Sequence, residues 1–548
     1  MYKESSLQRK YQKSIFIFRR DLRLKDNTAL INALYSSNSV YCFFILDSNI
    51  LLSNSLYSSF SLPIDPILLL KRKQRRIHLL RFLKESLLDL QKQFDKLDIE
   101  KEKEVGENNL NISSNLTFLL GDPVSTIKKI IQTDKKIEAV FVNRDYTPYS
   151  IERDQSIEEI CRSFNIDFIE CPDILINEPE EILNSTNEPF KVFSHYYNKA
   201  FEKPLRKESS FDIKKYKKKI INFDNNNSRI LKNFDSIERI INIEEFFSQI
   251  INEQFPVINN TNSLSSPTQL LLIGTRKKYR ELISALKYKF NKDNKQKEYI
   301  NLLDNTASHL SPYLKFGICS IREVYSTIQK ELGFNHRLLR QLYWRDFYVY
   351  IGYHFPFVFT RPFKGRYKGK SKTNVIRWKN DPHEFEIWCN GKTGFPIVDA
   401  GMRELNETGY MHNRVRLITA SFLVKDLHID WRYGERYFAL KLVDYDPSIN
   451  NGNWQWVAST GCDAQPFFRI FNPWLQQKKF DPNCNYIKKW IPELKGAPVN
   501  LIHEWYNTVN ATIDKSTKLS QIENYPRPIV EHQKENYSYK RFIQYLIN

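Results

Sequence analysis

The apolar residues of this chain change their spacing partway along, and that change limits the folds open to it. Up to residue 172, short β-type runs, IFIF (15–18), VYCFFIL (40–46), LTFLLGD (116–122), EAVFVN (138–143) and IDFIEC (166–171), are separated by charged stretches with helical spacing such as 73–97. Strands alternating with helices predict a parallel α/β sheet wrapped by its crossovers. From 276 to about 542, apolar residues recur instead at intervals of three and four, as in RKKYRELISALKYKF, REVYSTIQKEL, LLRQLYWRDFYVYIGYHF, FEIWC and ITASFLVKDL, which predicts a helical domain. Between them, 205–270 is rich in Lys, Asn, Ser and Asp and reads as a long, partly ordered linker. The expected organisation is therefore a Rossmann-like α/β domain over 14–172, a linker over 173–275 and an all-helical domain over 276–542. A chain of 548 residues is too long for one ordinary core.

Composition narrows the function. Lys plus Arg exceed Asp plus Glu by 82 minus 63, a formal charge of +19, which suits a polyanionic partner such as nucleic acid. The KKYKKK run (214–219) reads as a solvated charge run, with a nuclear address or a DNA contact as the alternatives. The seven cysteines are scattered without a CxxC pair, so neither a disulfide framework nor a zinc site is indicated. The polar, basic start lacks a signal-type apolar segment and no run reaches a membrane span. A soluble, intracellular protein is expected, cytoplasmic or, in a eukaryote, nuclear, and monomeric because nothing in the chain argues for an interface. No GxGxxG follows the first strand, so a dinucleotide site of the usual kind is not supported. All nine tryptophans lie between Trp344 and Trp505.

The densest chemistry lies at 442–473, LVDYDPSINNGNWQWVASTGCDAQPFFRIFNP. Two carboxylates (Asp444, Asp446), two amides (Asn450, Asn451), two indoles (Trp454, Trp456) and Arg469 crowd together with little helical period, a composition suited to walling a large flat ligand. This block, with NNGNWQW and STG...FRIFNP in order, closely resembles the FAD-binding segment of the photolyase/cryptochrome family, above all that of the bacterial-type cyclobutane pyrimidine dimer photolyases. FRRDLRLKDN (18–27) is similar to the opening of that family's antenna domain.

The resemblance implies a flavin site. NTASHLSPYLKFG (305–317) resembles the family's diphosphate-binding element, with Thr306, Ser308, Leu310 and Ser311 as contacts, although Ala307 stands where the family has a threonine. Tyr288 corresponds to an upstream adenine-side tyrosine. Arg345, Asn413 and Arg416 match flavin contacts, and Arg416 is expected to pair with Asp444, since a buried arginine needs a carboxylate partner. Asn450 is placed against flavin N5, where an amide accepts from N5–H and supplies no proton; this suits a reduced FADH−. Trp454, Trp431 and Trp378 match the family's electron relay. A second antenna chromophore, a folate, a deazaflavin or a flavin, is implied near 143–154. Ser150, standing where folate-binding relatives carry glutamate, argues against folate.

The implied activity is light-driven repair of cyclobutane pyrimidine dimers in UV-damaged DNA, the dimer being flipped out of the duplex to reach the flavin. Trp344 and Trp456 would wall its pocket, Gln341 and Asn413 would contact its polar edges, and Lys292, Arg414, Arg469 and Gln476 would hold the flanking phosphates. Gln341 replaces a glutamate common in relatives, and Leu417 a methionine. His412 reads as a structural residue. The rival readings are a cryptochrome-type light sensor, a (6-4) photolyase, against which the absence of histidines at 413 and 417 argues, and a flavoprotein photoreductase.

Overall fold

The computed structural model describes residues 10–47, 77–105, 115–223, 239–254, 272–290, 307–364, 378–466, 468–509 and 524–547. Strands β1 (Tyr11–Phe18), β2 (Ser37–Asp47), β3 (Leu116–Gly121), β4 (Ile137–Asn143) and β5 (Asp167–Cys171) form a parallel sheet in the order β5-β4-β1-β2-β3. All five fall on the apolar runs. The near-continuous burial of β1 to β4, complete from Ser14 to Phe18 in β1, reflects helices on both faces, whereas the edge strand β5 is buried only at Cys171.

The order places a topological switch between β1 and β4: the chain winds outward through β2 and β3, then returns to the other side of β1. Crevices at such points, beyond the carboxyl ends of the strands, are where open α/β sheets accept groups. Here the loops leaving β1 and β4 put Arg20 and Asp145 side by side, 3.0 Å apart.

The segment expected as a linker belongs in large part to the sheet domain. β6 (Ile220–Ile221) pairs with β2, β7 (Arg239–Ile240) lies antiparallel on β3, and the helix Ile243–Gln254 packs on the helix Ile77–Val105. The KKYKKK run forms a 3-10 helix, Ile213–Lys219, with Lys217 buried and Lys219 Nζ donating to the Leu34 carbonyl, so it is packed structure as well as charge.

The helical part contains every helix that the three-and-four spacing predicts, among them Arg276–Ser284, Ile321–Leu332, Arg337–His354, Pro382–Cys389 and Asn413–Lys425. One correction concerns the block at 442–473, where little helical period is visible. Residues Pro447–Val457 are an α-helix. Asp446 caps it by accepting from the Ser448 and Ile449 N–H groups, and Pro447 supplies the preset first position. Its buried face is made of Ser448, Asn450, Asn451 and Gln455 besides Trp454 and Val457; a polar buried face carries no apolar period.

The two domains dock through charge buried from water. Asp173, just past β5, accepts from Arg23 at 2.7 and 2.8 Å and from Arg322 of the helical part at 2.7 Å, and Arg322 also reaches Asp26. Gly317, at φ +64, lets the backbone of Arg20 approach so closely that a Cβ would sit 2.0 Å from its carbonyl oxygen.

Candidate active site

A cleft of about 500 Å³ opens among the helices Ser311–Phe316, Arg337–His354, Asn413–Lys425 and Pro447–Val457, with Arg20 of the sheet domain at one wall. Twelve of the residues singled out from sequence line it: Ser308, Leu310, Ser311, Gln341, Arg345, Asn413, Arg414, Arg416, Asp444, Asp446, Asn450 and Trp454. Among the described residues, six cations line it (Arg20, Lys315, Arg337, Arg345, Arg414, Arg416) against two carboxylates, Asp444 and Asp446, a surplus of four that suits an anionic occupant.

The expected ion pair is present: Arg416 donates to Asp444 Oδ2 at 2.9 Å, and Ser311 Oγ donates to the same oxygen at 2.6 Å. Arg416 Nε is fixed by the Met411 carbonyl. Asp444 Oδ1 is buried and has no donor among the described residues, and an unpaired buried acceptor of this kind fits a ligand N–H or hydroxyl. Asp446 differs, its oxygens being taken by the helix cap and by Arg20. Burial raises its carboxyl pKa, but Arg20, Lys315 and Arg345 together outweigh burial and hold it below the usual range. Asn450 Nδ2 donates to the Glu435 carbonyl at 3.0 Å, which leaves the amide oxygen as an acceptor beside the cleft. Arg345 donates to the Ile174 carbonyl and to Asp346, whose carboxyl burial lifts to about 6.

His412 caps the helix Asn413–Lys425 by accepting from the Arg414 N–H, the structural part expected of it. Burial, then Arg416 and Arg414, lower its pKa to about 4. His309, also on the cleft and tilted against Tyr410, is brought to about 4 by burial as well. Both imidazoles are neutral at pH 7.

Trp454 and Trp431 are buried in one apolar core of the helical part, and Trp378 packs on that core from outside. Trp454 makes edge-on contacts with Phe438 at 5.0 Å and with Trp388 at 6.3 Å. Trp388, wholly buried, is a neighbour that the sequence reading missed.

Several expected residues stand elsewhere. Tyr288 is 81% exposed on a short helix, Leu286–Lys289, and does not line the cleft; Phe290 does. Trp344 and Trp456 line a neighbouring crevice of about 20 Å³ rather than the cleft. Trp344 is held there by stacking on Phe193, with centroids 3.6 Å apart. Arg469, exposed, lies over the Trp456 ring at 5.9 Å. Gln476 is half-buried on the helix Pro473–Phe480. Thr306 and Lys292 lie outside the described residues. Conversely, Arg20, Lys315, His309 and Tyr410 line the cleft without having been singled out. Lys315 and His309 sat inside a motif already noticed, whereas nothing in the sequence announced Arg20 as a neighbour of Asp446.

Near 143–154, where an antenna chromophore was expected, side chains pair with one another. Arg19 and Arg153 both reach Asp154, Tyr149 donates to Asp47, and Ser150 is buried against Thr147.

A sheet domain docked at its switch point onto a helical domain with a cation-rich cleft defines a class, the two-domain flavoproteins of photolyase architecture. Residues 14–211 match the model of the DNA photolyase family and 338–544 that of the FAD binding domain of DNA photolyase. The deoxyribodipyrimidine photo-lyase of Vibrio cholerae is 32% identical over 94% of this chain and 96% of that protein; the one from Alkalihalophilus pseudofirmus is 36% identical over 77% and 81%. Among solved structures, an archaeal photolyase from Sulfolobus tokodaii with two FAD molecules superposes with a TM-score of 0.72 at 33% identity, covering 97% of this chain and all of that one. The chain belongs to the DNA photolyase family.

Proposed function

We propose that the protein repairs cyclobutane pyrimidine dimers in UV-damaged DNA under light, with FAD in its reduced form as the electron donor. The observation that carries this is the convergence of the twelve sequence-selected residues, drawn from four separate stretches, on one cleft. When bound, the reduced flavin supplies, on illumination, the electron that passes to the dimer and returns after its two C–C bonds have broken.

The chain's own residues bind and position. The cation surplus of the cleft attracts the cofactor diphosphate. Asp444, held by Arg416 and Ser311, presents one free oxygen as an acceptor. Asn450 offers an amide oxygen that accepts a hydrogen bond and cannot release a proton, which keeps the cofactor in a hydrogen-bearing reduced state. Trp454 packs at the cleft wall as the first member of a relay through Trp431 to Trp378, able to pass electrons inward from solvent.

Gln341 and Asn413, both exposed at the cleft, would contact a flipped dimer, and Arg414 and Arg469 its flanking phosphates. Trp344 and Trp456 would join that pocket if the narrow crevice between them opens on DNA. Asn413 and Leu417, which line the cleft at the positions where (6-4) relatives carry histidines, support dimer repair over (6-4) photoproduct repair, which needs a proton donor. The second FAD in the Sulfolobus tokodaii structure supports a flavin antenna here.

The test is to purify the protein, record its flavin absorption and illuminate it with a thymine-dimer oligonucleotide under a reductant. Recovery of intact thymines only in the light is the expected result. A flavin-loaded protein that photoreduces and repairs nothing would assign the chain to the light sensors instead.

A further inference from the structure

At the switch point of the sheet, Arg20 bridges Asp145 and Asp446 and donates from Nε to the Lys315 carbonyl. The two carboxylates are thereby engaged. Asp145 Oδ1 accepts from Arg20 and from the Tyr146 N–H, and Asp446 accepts from Arg20 and from two N–H groups of the helix Pro447–Val457. Arg345, the third cation there, is paired with Asp346. Lys315 alone in this group makes neither a hydrogen bond from its ammonium nor an ion pair among the described residues, although it lines the cleft. Its three ammonium donors, half-buried at the cleft, are therefore available to a ligand acceptor.

The place of Lys315 along the cleft indicates which part of the cofactor that is. Its electrostatic neighbour Asp446 caps the helix that carries Asn450 one turn later, and the Asn450 N–H closes that turn on the Asp446 carbonyl at 2.9 Å. One turn is about 5.4 Å, within the span of the tricyclic ring whose N5 the resemblance places at Asn450. Two-electron reduction of that ring, with uptake of one proton, leaves one negative charge on it.

We propose that Lys315 is a cofactor-binding residue that compensates the negative charge of the reduced flavin, held in place by the Arg20 bridge from the sheet domain. The proposal rests on the flavin reading above. Its consequence is that the cleft prefers reduced over oxidised FAD, and that the sheet domain contributes to this preference. The ammonium titrates unusually low: burial, then Arg20, bring it to about 8, with Asp446 and Asp145 opposing and Arg345 adding to the shift. The preference should therefore weaken as pH rises past 8.

The test strips FAD from the purified full-length protein and rebinds it anaerobically, oxidised or dithionite-reduced, at pH 7 and pH 9.5. In Lys315→Met, affinity for reduced FAD should fall about tenfold more than for oxidised FAD, equivalent to about 30 mV for a two-electron couple. Lys315→Arg should restore the preference and make it independent of pH over this range, and a thermal melt of each apo-protein checks folding. If Lys315→Met does not fold, the loss of preference with pH in the wild type and its absence in Lys315→Arg decide the matter. Equal loss for both forms would put the ammonium on the diphosphate and overturn the proposal, as would no loss at all. A wild-type chain that binds no FAD would overturn the flavin reading itself.

Discussion

Gly434 offers a sharp test of how the cleft wall is built. It lies in the helix Trp431–Lys441, facing Trp454, where an added Cβ would be 2.1 Å from Cη2, 2.5 Å from Cζ3 and 2.6 Å from Leu423 Cδ2. Ordinary carbon contacts begin near 3.4 Å, so Gly434→Ala must displace the indole by about 1 Å. Trp454 is 2% exposed, with Phe438 and Trp388 against it, and the open side is the cleft. Two effects oppose each other. Replacing glycine by alanine inside a helix favours folding by about 1 kcal/mol, whereas overpacking a rigid core costs about 1–3 kcal/mol. With contacts this short the cost lies at the upper end of that range and the clash should win, giving a net loss of up to about 2 kcal/mol in urea unfolding followed by tryptophan fluorescence. Because the ring moves into the cleft, FAD content per chain after gel filtration should fall as well. A variant more stable than the wild type with full flavin content would refute the account, since it would mean that Trp454 has room the structure does not give it.

Three further outcomes follow from the same geometry. Asp173→Asn leaves Arg23 and Arg322 buried without their shared carboxylate, so stability should fall by about 3–5 kcal/mol, measured by chemical unfolding; a loss under about 1 kcal/mol would mean that water reaches the pair. Arg469→Ala, at an exposed position, should weaken binding of damaged DNA and reduce the slope of log affinity against log salt by about one, with flavin content unchanged. Glu404 is raised to about 7 by burial despite accepting from the Tyr486 hydroxyl. A carboxyl raised above its unfolded value contributes stability that is full below about pH 4.5 and lost as pH rises through 7, so Glu404→Gln should flatten the fall in urea midpoint between pH 5 and pH 8.

The sequence by itself settled what depends on local spacing. The five parallel strands and the long helices could be read from it because apolar period is a property of neighbouring residues. The cleft residues were legible where they sit in contiguous motifs, as Ser308, Ser311, Asn413, Arg416, Asp444 and Asn450 do. Where burial is polar, the signal vanished: the helix Pro447–Val457 turns amides inward and shows no period, and the Lys- and Asn-rich stretch after 205 hides short strands whose pairing residues are few.

Tertiary structure alone decided which distant charges meet. Arg20 reaches Asp145 across 125 positions and Asp446 across 426, and Trp388 arrives beside Trp454 from a separate helix. An ion pair or a ring contact depends on distance in space, and a charged residue looks the same in sequence whether its partner is a protein carboxylate, a cofactor or water. Only the docking of the sheet's switch point onto the helical domain, permitted by the bare backbone of Gly317, engages both carboxylates with Arg20 and leaves Lys315 facing the cleft.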